Sequence, residues 1–255
     1  MKLTVVGCSG SLPGPNSPAS CYLVRSEHQG RTWSLLLDLG SGALGPLQRH
    51  IGLCDIDGIA LSHLHPDHCM DLCGLYVAQK YHPGQPTTRR IPVWGPAGAA
   101  ERLHRAYDDL PEPDGLATAF DFRDLGDGQA FTLGPFRVTA YRVRHPVEAY
   151  GLRVEADGAA LAYTGDTDAC DALQSLCRDA TLVLTDSAFV DGRDQAEGVH
   201  LSGRRAAQAA LDAGAQRLML THLPPWNDPQ VCRAQAAAVW PGEVELAEPG
   251  ASYPL

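Results

Sequence analysis

The stretch Ile59-Ala60-Leu61-Ser62-His63-Leu64-His65-Pro66-Asp67-His68 constrains this chain more than any other. An apolar run leads straight into three imidazoles and a carboxylate within six residues, and those are three of only ten histidines in 255 residues. Zinc takes imidazole nitrogen and carboxylate oxygen, with three or four protein ligands and, in catalytic sites, an open position for water. The cluster holds most of what two such ions need. Strand side chains alternate with period two, so at a strand end His63 and His65 point to the same side. Pro66 stiffens the turn after them, which brings Asp67 and His68 toward a second ion.

Further residues of the same chemistry stand singly at the ends of other apolar runs. Asp166 follows Ala160–Tyr163, His222 follows Arg217–Leu220, and His145 follows the β-rich run Phe136–Arg142. Alone, each reads as a structural residue; their shared position at strand ends groups them with the cluster. Runs bounded by Gly and Pro predict further strands at Leu3–Val6, Cys21–Arg25, Trp33–Asp38, Gly58–Leu61, Ile91–Trp94, Gly151–Glu155, Leu182–Thr185 and Glu243–Leu246. Helical periodicity predicts helices over Gly42–His50, Met70–Lys80, Gly98–Leu110, Asp168–Arg178, Ser202–Ala213 and Gln230–Val239. Ser202 stands at an N-cap position and Gly214 at a C′ position. Strands without regular βαβ alternation imply packed mixed sheets with helices outside, an α/β chain.

The formal charge of −10 argues against a broad grip on DNA or long RNA, which depends on many Lys and Arg contacts to phosphate. It leaves room for a small anion at a local positive site. No apolar run approaches the ~20 residues of a membrane span, and the apolar start is too short for a signal peptide, so a cytoplasmic location is expected. The eight scattered cysteines read as reduced thiols. Cys69 and Cys73 read as small thiols on a buried helix face, and the acidic stretch Asp108–Asp114 as a loop.

The order His63–His68, His145, Asp166, His222 resembles the metallo-β-lactamase superfamily. Leu35-Leu36-Leu37-Asp38-Leu39-Gly40-Ser41-Gly42 resembles that family's first motif, in which the aspartate orients a ligating histidine. The resemblance spans almost the whole chain. It implies one domain over residues 1–255, an αββα sandwich of two mixed sheets with outer helices and a dimetal site at a sheet edge. It also implies one zinc on His63, His65 and His145, another on Asp67, His68 and His222, and Asp166 between them. The superfamily's diiron branch carries an acidic residue where this chain has His65, so two Zn²⁺ or Mn²⁺ are implied rather than redox iron.

Fold does not decide the chemistry within the superfamily. Gly198-Val199-His200-Leu201-Ser202-Gly203 before Thr221-His222 resembles the ribonuclease Z branch, in which a histidine before Ser or Thr assists at the scissile phosphate. That role falls on His200. The branch has a His-Glu-Ala motif where this chain reads Thr185-Asp186-Ser187-Ala188, so Asp186, one methylene shorter, stands for the glutamate. The long tRNA-gripping arm of ribonuclease Z has no room between His145 and Asp166. Segments such as Val6-Gly7-Cys8-Ser9-Gly10-Ser11, Asn16-Ser17-Pro18-Ala19-Ser20, Lys80-Tyr81-His82-Pro83 and Thr221-His222-Leu223-Pro224-Pro225-Trp226 resemble bacterial atypical class II cyclic-AMP phosphodiesterases. The resemblance implies hydrolysis of 3′,5′-cyclic AMP to 5′-AMP by a hydroxide between the metals. Asp67 would accept a proton and His200 would assist the departing 3′-oxygen. Ser9, Tyr81, His82 and Trp226 are candidate substrate contacts, with core burial the competing expectation for Tyr81. A homodimer is expected, as relatives commonly form one. The alternatives are a ribonuclease Z-like tRNA 3′-endonuclease, another cyclic phosphodiesterase, a glyoxalase-type thioesterase that His200 counts against, and a non-catalytic nucleotide-binding scaffold. The complete ligand set argues against the last.

Overall fold

A computed structural model describes residues 1–83, 89–108 and 115–255. Among these, two seven-stranded sheets face each other. The first is built from β1 (Lys2–Gly7), β2 (Cys21–His28), β3 (Arg31–Leu37), β4 (Gly58–Ala60), β5 (Ile91–Gly95), β6 (Phe120–Asp124) and β14 (Ser252–Pro254), in the order β14-β1-β2-β3-β4-β5-β6. The second is built from β7 (Ala130–Leu133), β8 (Phe136–Arg142), β9 (Tyr150–Ala156), β10 (Ala159–Tyr163), β11 (Leu182–Asp186), β12 (Leu218–Thr221) and β13 (Val244–Leu246), in the order β13-β12-β11-β10-β9-β8-β7. The first sheet is antiparallel from β14 to β3 and parallel from β3 to β6; the second is parallel from β13 to β10 and antiparallel from β10 to β7.

Inward residues alternate along each strand, as the two-residue period requires. Leu3, Val5, Tyr22, Val24, Leu35 and Leu37 of the first sheet meet Phe136, Val138, Leu152, Val154, Leu161 and Leu184 of the second. Each such side chain taken from water contributes about 1.5–3 kcal/mol. Trp94 and Phe131 stack across the sheets with ring centroids 3.9 Å apart. Outside the first sheet lie α1 (Leu44–Leu47), α2 (Pro66–Cys69), α3 (Leu72–Tyr81) and α4 (Ala99–Tyr107), burying Leu47, Leu72, Leu75 and Leu103 on it. Outside the second lie α5 (Ala172–Leu176), α6 (Gly203–Asp212) and α7 (Pro229–Ala237), burying Leu176, Ala206, Ala207, Ala210 and Ala236. The layers are therefore α, β, β, α, the order that the resemblance implied.

Every predicted strand is present, and three were not foreseen. Phe120–Asp124 has a period-two pattern, but β7 and β14 are short edge strands whose only constraint is their neighbour. The helices expected over Gly42–His50 and Asp168–Arg178 shrink to α1 and α5. Asp168 is drawn out of the second because its side chain bonds the amides of Ala169 and Gly198 instead of entering a helix. Ser202 does cap α6 by accepting from the Arg205 amide, and Gly214 has φ +71 just beyond its end. The expected helix end at Leu110 and most of the acidic stretch, residues 109–114, lie outside the described residues. No helix of the described residues is long and apolar enough to cross a membrane.

This topology gathers strand ends. β1 and β3 run the same way because both are antiparallel to β2, and β4 runs with β3. In the second sheet β8 and β10 run together, joined by the parallel β11 and β12. The segments leaving these strands at their carboxyl ends hold Asp38, His63–His68, His145, Asp166 and His222, and Asp186 is the last residue of β11. Ligand sites in open α/β sheets form at such ends, where the strand order reverses.

Candidate metal centre

Among the described residues three groups of donor atoms form at this rim, all sharing Asp166. His63, His65, His145 and Asp166 make the first; Asp67, His68, Asp166 and His222 make the second. Asp166 with Asp186, His200 and His222 makes a third that overlaps these two, which matter most for an ion pair. Ligands about 2.0–2.1 Å from one tetrahedral ion stand about 3.3–3.4 Å from each other. In the second group His68 Nε2 lies 3.2 Å from His222 Nε2, 3.2 Å from Asp166 Oδ1 and 3.4 Å from Asp67 Oδ2. His222 Nε2 lies 3.2 Å from Asp67 Oδ2 and 3.4 Å from Asp166 Oδ1. Five of the six edges of a ligand tetrahedron thus have the expected length. In the first group His65 Nδ1 is 3.0 Å from His63 Nε2 and 3.3 Å from His145 Nε2, and His63 Nε2 is 3.7 Å from Asp166 Oδ2. Asp166 therefore turns one oxygen to each of these two groups. Its Oδ1 is buried and has no hydrogen-bond partner, the environment a carboxylate tolerates when a cation takes the place of water. The residues fit two divalent ions.

Hydrogen bonds set which nitrogen faces inward for three of the rings, His68, His63 and His145. The Asp38 carboxylate can only accept, so His68 Nδ1, 2.7 Å from Asp38 Oδ2, carries the hydrogen and leaves the Nε2 lone pair for the group. Ser62 Oγ donates to the same Asp38 oxygen at 2.7 Å and so accepts from His63 Nδ1 at 3.1 Å. His145 Nδ1 donates to the Val199 carbonyl at 2.9 Å. Asp38 takes further bonds from the Ser62 amide at 2.6 Å and the Tyr163 hydroxyl at 2.7 Å. The structure places Asp38 against His68 Nδ1, and the partners Ser62 and Tyr163 were missed. Ser62 lies inside the quoted motif, but nothing in the sequence marks a tyrosine at a strand end as its neighbour. Asp38 and His222 are held at φ +59 and +58, sparsely populated values for non-glycine residues that concentrate at functional sites.

Charge is tightly paired here. Burial alone would raise the carboxyls of Asp67 and Asp166, yet His222 and His68 hold both well below the usual carboxylate range. Burial would likewise lower His68 and His222, but Asp166 outweighs it, with Asp38 aiding at His68 and Asp186 and Asp67 at His222, which is pushed up to about 10. His63, His65 and His145 are lowered by burial.

In the third group His200 Nδ1 lies 2.9 Å from Asp186 Oδ2. The shorter side chain reaches because β11 carries Asp186, fully buried, to the rim, where it also accepts from the Thr167 and Ala188 amides. Burial works to lower His200, but the Asp186 carboxylate wins and raises it.

The four substrate candidates are placed unevenly. Trp226 is 62% exposed on the loop that follows His222. The Ser9 hydroxyl donates to the Leu12 carbonyl within its own loop at 2.7 Å, while the neighbouring Ser11 amide points at His222 Nε2 at 3.3 Å. Tyr81 is 59% exposed rather than in a core. Tyr81 and His82 stand at the far end of α3, a helix about 15 Å long, and the structure does not bring them to the donor groups.

The model described as "Beta-lactamase superfamily domain" matches residues 34–223. The chain is 40% identical to the uncharacterized protein Rv1339 of Mycobacterium tuberculosis (strain ATCC 25618 / H37Rv) over 246 residues, 96% of this chain and 88% of the relative. It is 31% identical to the probable metallo-hydrolase YhfI of Bacillus subtilis (strain 168), covering 98% of both. The crystal structure of that protein superposes with TM-score 0.87 at 30% identity over 99% of this chain and 98% of YhfI. Ribonuclease BN of Enterobacter sp. (strain 638) is 27% identical over 97% of this chain and 98% of the relative.

Proposed function

The chain belongs to the beta-lactamase superfamily of metallo-hydrolases, and on that footing we propose that it hydrolyses a small phosphodiester, 3′,5′-cyclic AMP, to 5′-AMP. His63, His65 and His145 would hold one divalent ion, Asp67, His68 and His222 the other, with Asp166 shared. The nitrogen-rich donor set suits Zn²⁺, with Mn²⁺ the alternative. Bound there, two such ions would supply positive charge against the phosphoryl oxygens and make water a stronger nucleophile at neutral pH.

The observation that carries the phosphodiester reading is the His200–Asp186 pair beside those groups. Hydrolysis of the cyclic ester forms a bond from water oxygen to phosphorus, breaks the bond from phosphorus to O3′, and moves one proton from water to O3′. His200 is the group that delivers the proton. Asp186 binds its Nδ1, orients the ring and favours the charged imidazolium, so Nε2–H is left to give its proton to the departing oxygen. At the other end of the reaction Asp67, ionised beforehand, takes the proton that the water gives up, which balances the one His200 gives to O3′. The exposed Trp226 offers a ring face to the adenine.

A tRNA endonuclease is the second reading, favoured by the identity to Ribonuclease BN. The short β9–β10 hairpin fills the chain between His145 and Asp166, and the charge of −10 opposes a long polyanion.

The test is turnover of cyclic AMP by zinc- or manganese-loaded protein, with Asp67→Ala and His200→Ala alongside. Hydrolysis that both substitutions suppress is expected. No turnover, with cleavage of a 3′-extended tRNA precursor instead, would overturn the proposal in favour of the second reading.

A further inference from the structure

Three loops that carry the donor groups are tied together by one ion pair that supplies no donor atom itself. Asp168, two residues beyond Asp166, is 3% exposed. Its Oδ2 accepts from the Gly198 amide at 2.7 Å, its Oδ1 pairs with the Arg205 guanidinium and accepts from the Ala169 amide at 2.7 Å, and its own amide donates to the Arg144 carbonyl at 2.8 Å. Arg205, in the first turn of α6, sends its other arm to the His200 carbonyl at 3.0 Å.

The segment Gly198–His200 is therefore held at both ends, by Asp168 at the first amide and by Arg205 at the last carbonyl. Between these two anchors lies the Val199 carbonyl, which takes the Nδ1 hydrogen of His145. Moving this segment would turn the His145 ring, whose Nε2 faces His65, and would shift His200 against Asp186.

We propose that Asp168 and Arg205 are a positioning pair that sets His145 as a metal ligand and His200 as proton donor together, so that the first ion site and the leaving-group end are assembled by one contact. The inference rests on the dimetal phosphodiesterase reading above. Arginine is suited to the task because its planar fork reaches the carboxylate and the carbonyl at once, whereas a lysine ammonium on a single flexible stem is a point charge.

The test uses the full chain with Arg205→Ala, Arg205→Lys and Asp168→Asn. Bound zinc is counted and its affinity measured by chelator competition, and kcat and KM for cyclic AMP are measured separately. Arg205→Ala should weaken one zinc equivalent about 10–100-fold, the range for losing a residue that orients a ligand, while the other equivalent changes less. The kcat should fall more than KM changes, and Arg205→Lys should recover part of both losses. Arg205→Lys and Asp168→Asn keep the site filled if the alanine variant does not fold. Variants with a lower melting temperature but two zinc equivalents at parent affinity and parent kcat would reduce the pair to a structural one. A parent that takes up no zinc would remove the dimetal reading and this inference with it; a parent with two zinc equivalents and insensitive variants would remove only the inference.

Discussion

Replacing Asp38 with asparagine tests how the centre is held. The residue sits at φ +59, a region asparagine also tolerates, so the backbone is spared and only the charge and one acceptor are lost. Asp38 Oδ1 accepts from the Ser62 amide, and Oδ2 accepts from Ser62 Oγ, Tyr163 Oη and His68 Nδ1. An amide has one oxygen. If it faces the three donors, the NH₂ meets the Ser62 amide and one buried donor is orphaned. If it faces that amide, the two hydroxyls can rotate to accept, but His68 must move its hydrogen to Nε2 and cease to be a ligand. An orphaned buried donor costs about 1–3 kcal/mol, and each of the three charged bonds made neutral about 1 kcal/mol more, so the change should cost about 4–6 kcal/mol. That is a large part of the ~5–15 kcal/mol by which domains are stable. Ion affinity should fall about 10–100-fold as well. Urea unfolding gives the first number and chelator competition the second. Tyr163→Phe is the control: it removes one donor, leaves His68 on Asp38, and should cost about 1 kcal/mol without changing ion affinity. Asp38→Asn protein within about 1 kcal/mol of the parent, with unchanged ion affinity, would refute the orientation argument.

His200→Ala should lower kcat about 10²–10⁴-fold, the usual contribution of general acid–base catalysis. Asp186→Asn removes the charge that raises His200, so burial then dominates and the alkaline fall of the kcat–pH profile should move to lower pH; a fall that stays in place would separate Asp186 from His200. An ion in the second group must displace the proton that His222 otherwise holds up to about 10. Ion affinity should therefore drop about tenfold or more per unit of acidification below neutrality, read by chelator competition at several pH values. Gly165, at φ +57, would place an alanine Cβ 2.9 Å from Ser62 Cβ. Gly165→Ala should lose about 1–2 kcal/mol in backbone strain alone, plus the cost of displacing Ser62, and thermal unfolding would show it.

The donor cluster was legible because it is local. His63, His65, Asp67 and His68 lie within one strand end and one turn, and sequence order already limits where their side chains can point. The caps of α6 were legible for the same reason. Tyr81 was not: a large aromatic on a helix fits a core or a surface equally well until its neighbours are known, and it proved exposed. Edge strand β14 was missed because a partner distant in sequence, β1, makes it a strand, and β7 because its pairing with the adjacent β8 across a tight turn, not a pattern of its own, makes it one.

By itself the sequence determined the donor types, the strand and helix periods, and a resemblance that implied the order of layers. The tertiary structure decided which lone pairs meet. Asp38 and His68 are 30 residues apart, Tyr163 and Asp38 125 apart, and His222 and Asp67 155 apart. Such pairs are fixed by two sheets closing on a shared apolar core, which brings the carboxyl ends of their strands to one rim. Hydrogen-bond partners act over about 3 Å, and chain order carries no information about contacts of that range until the sheets have packed.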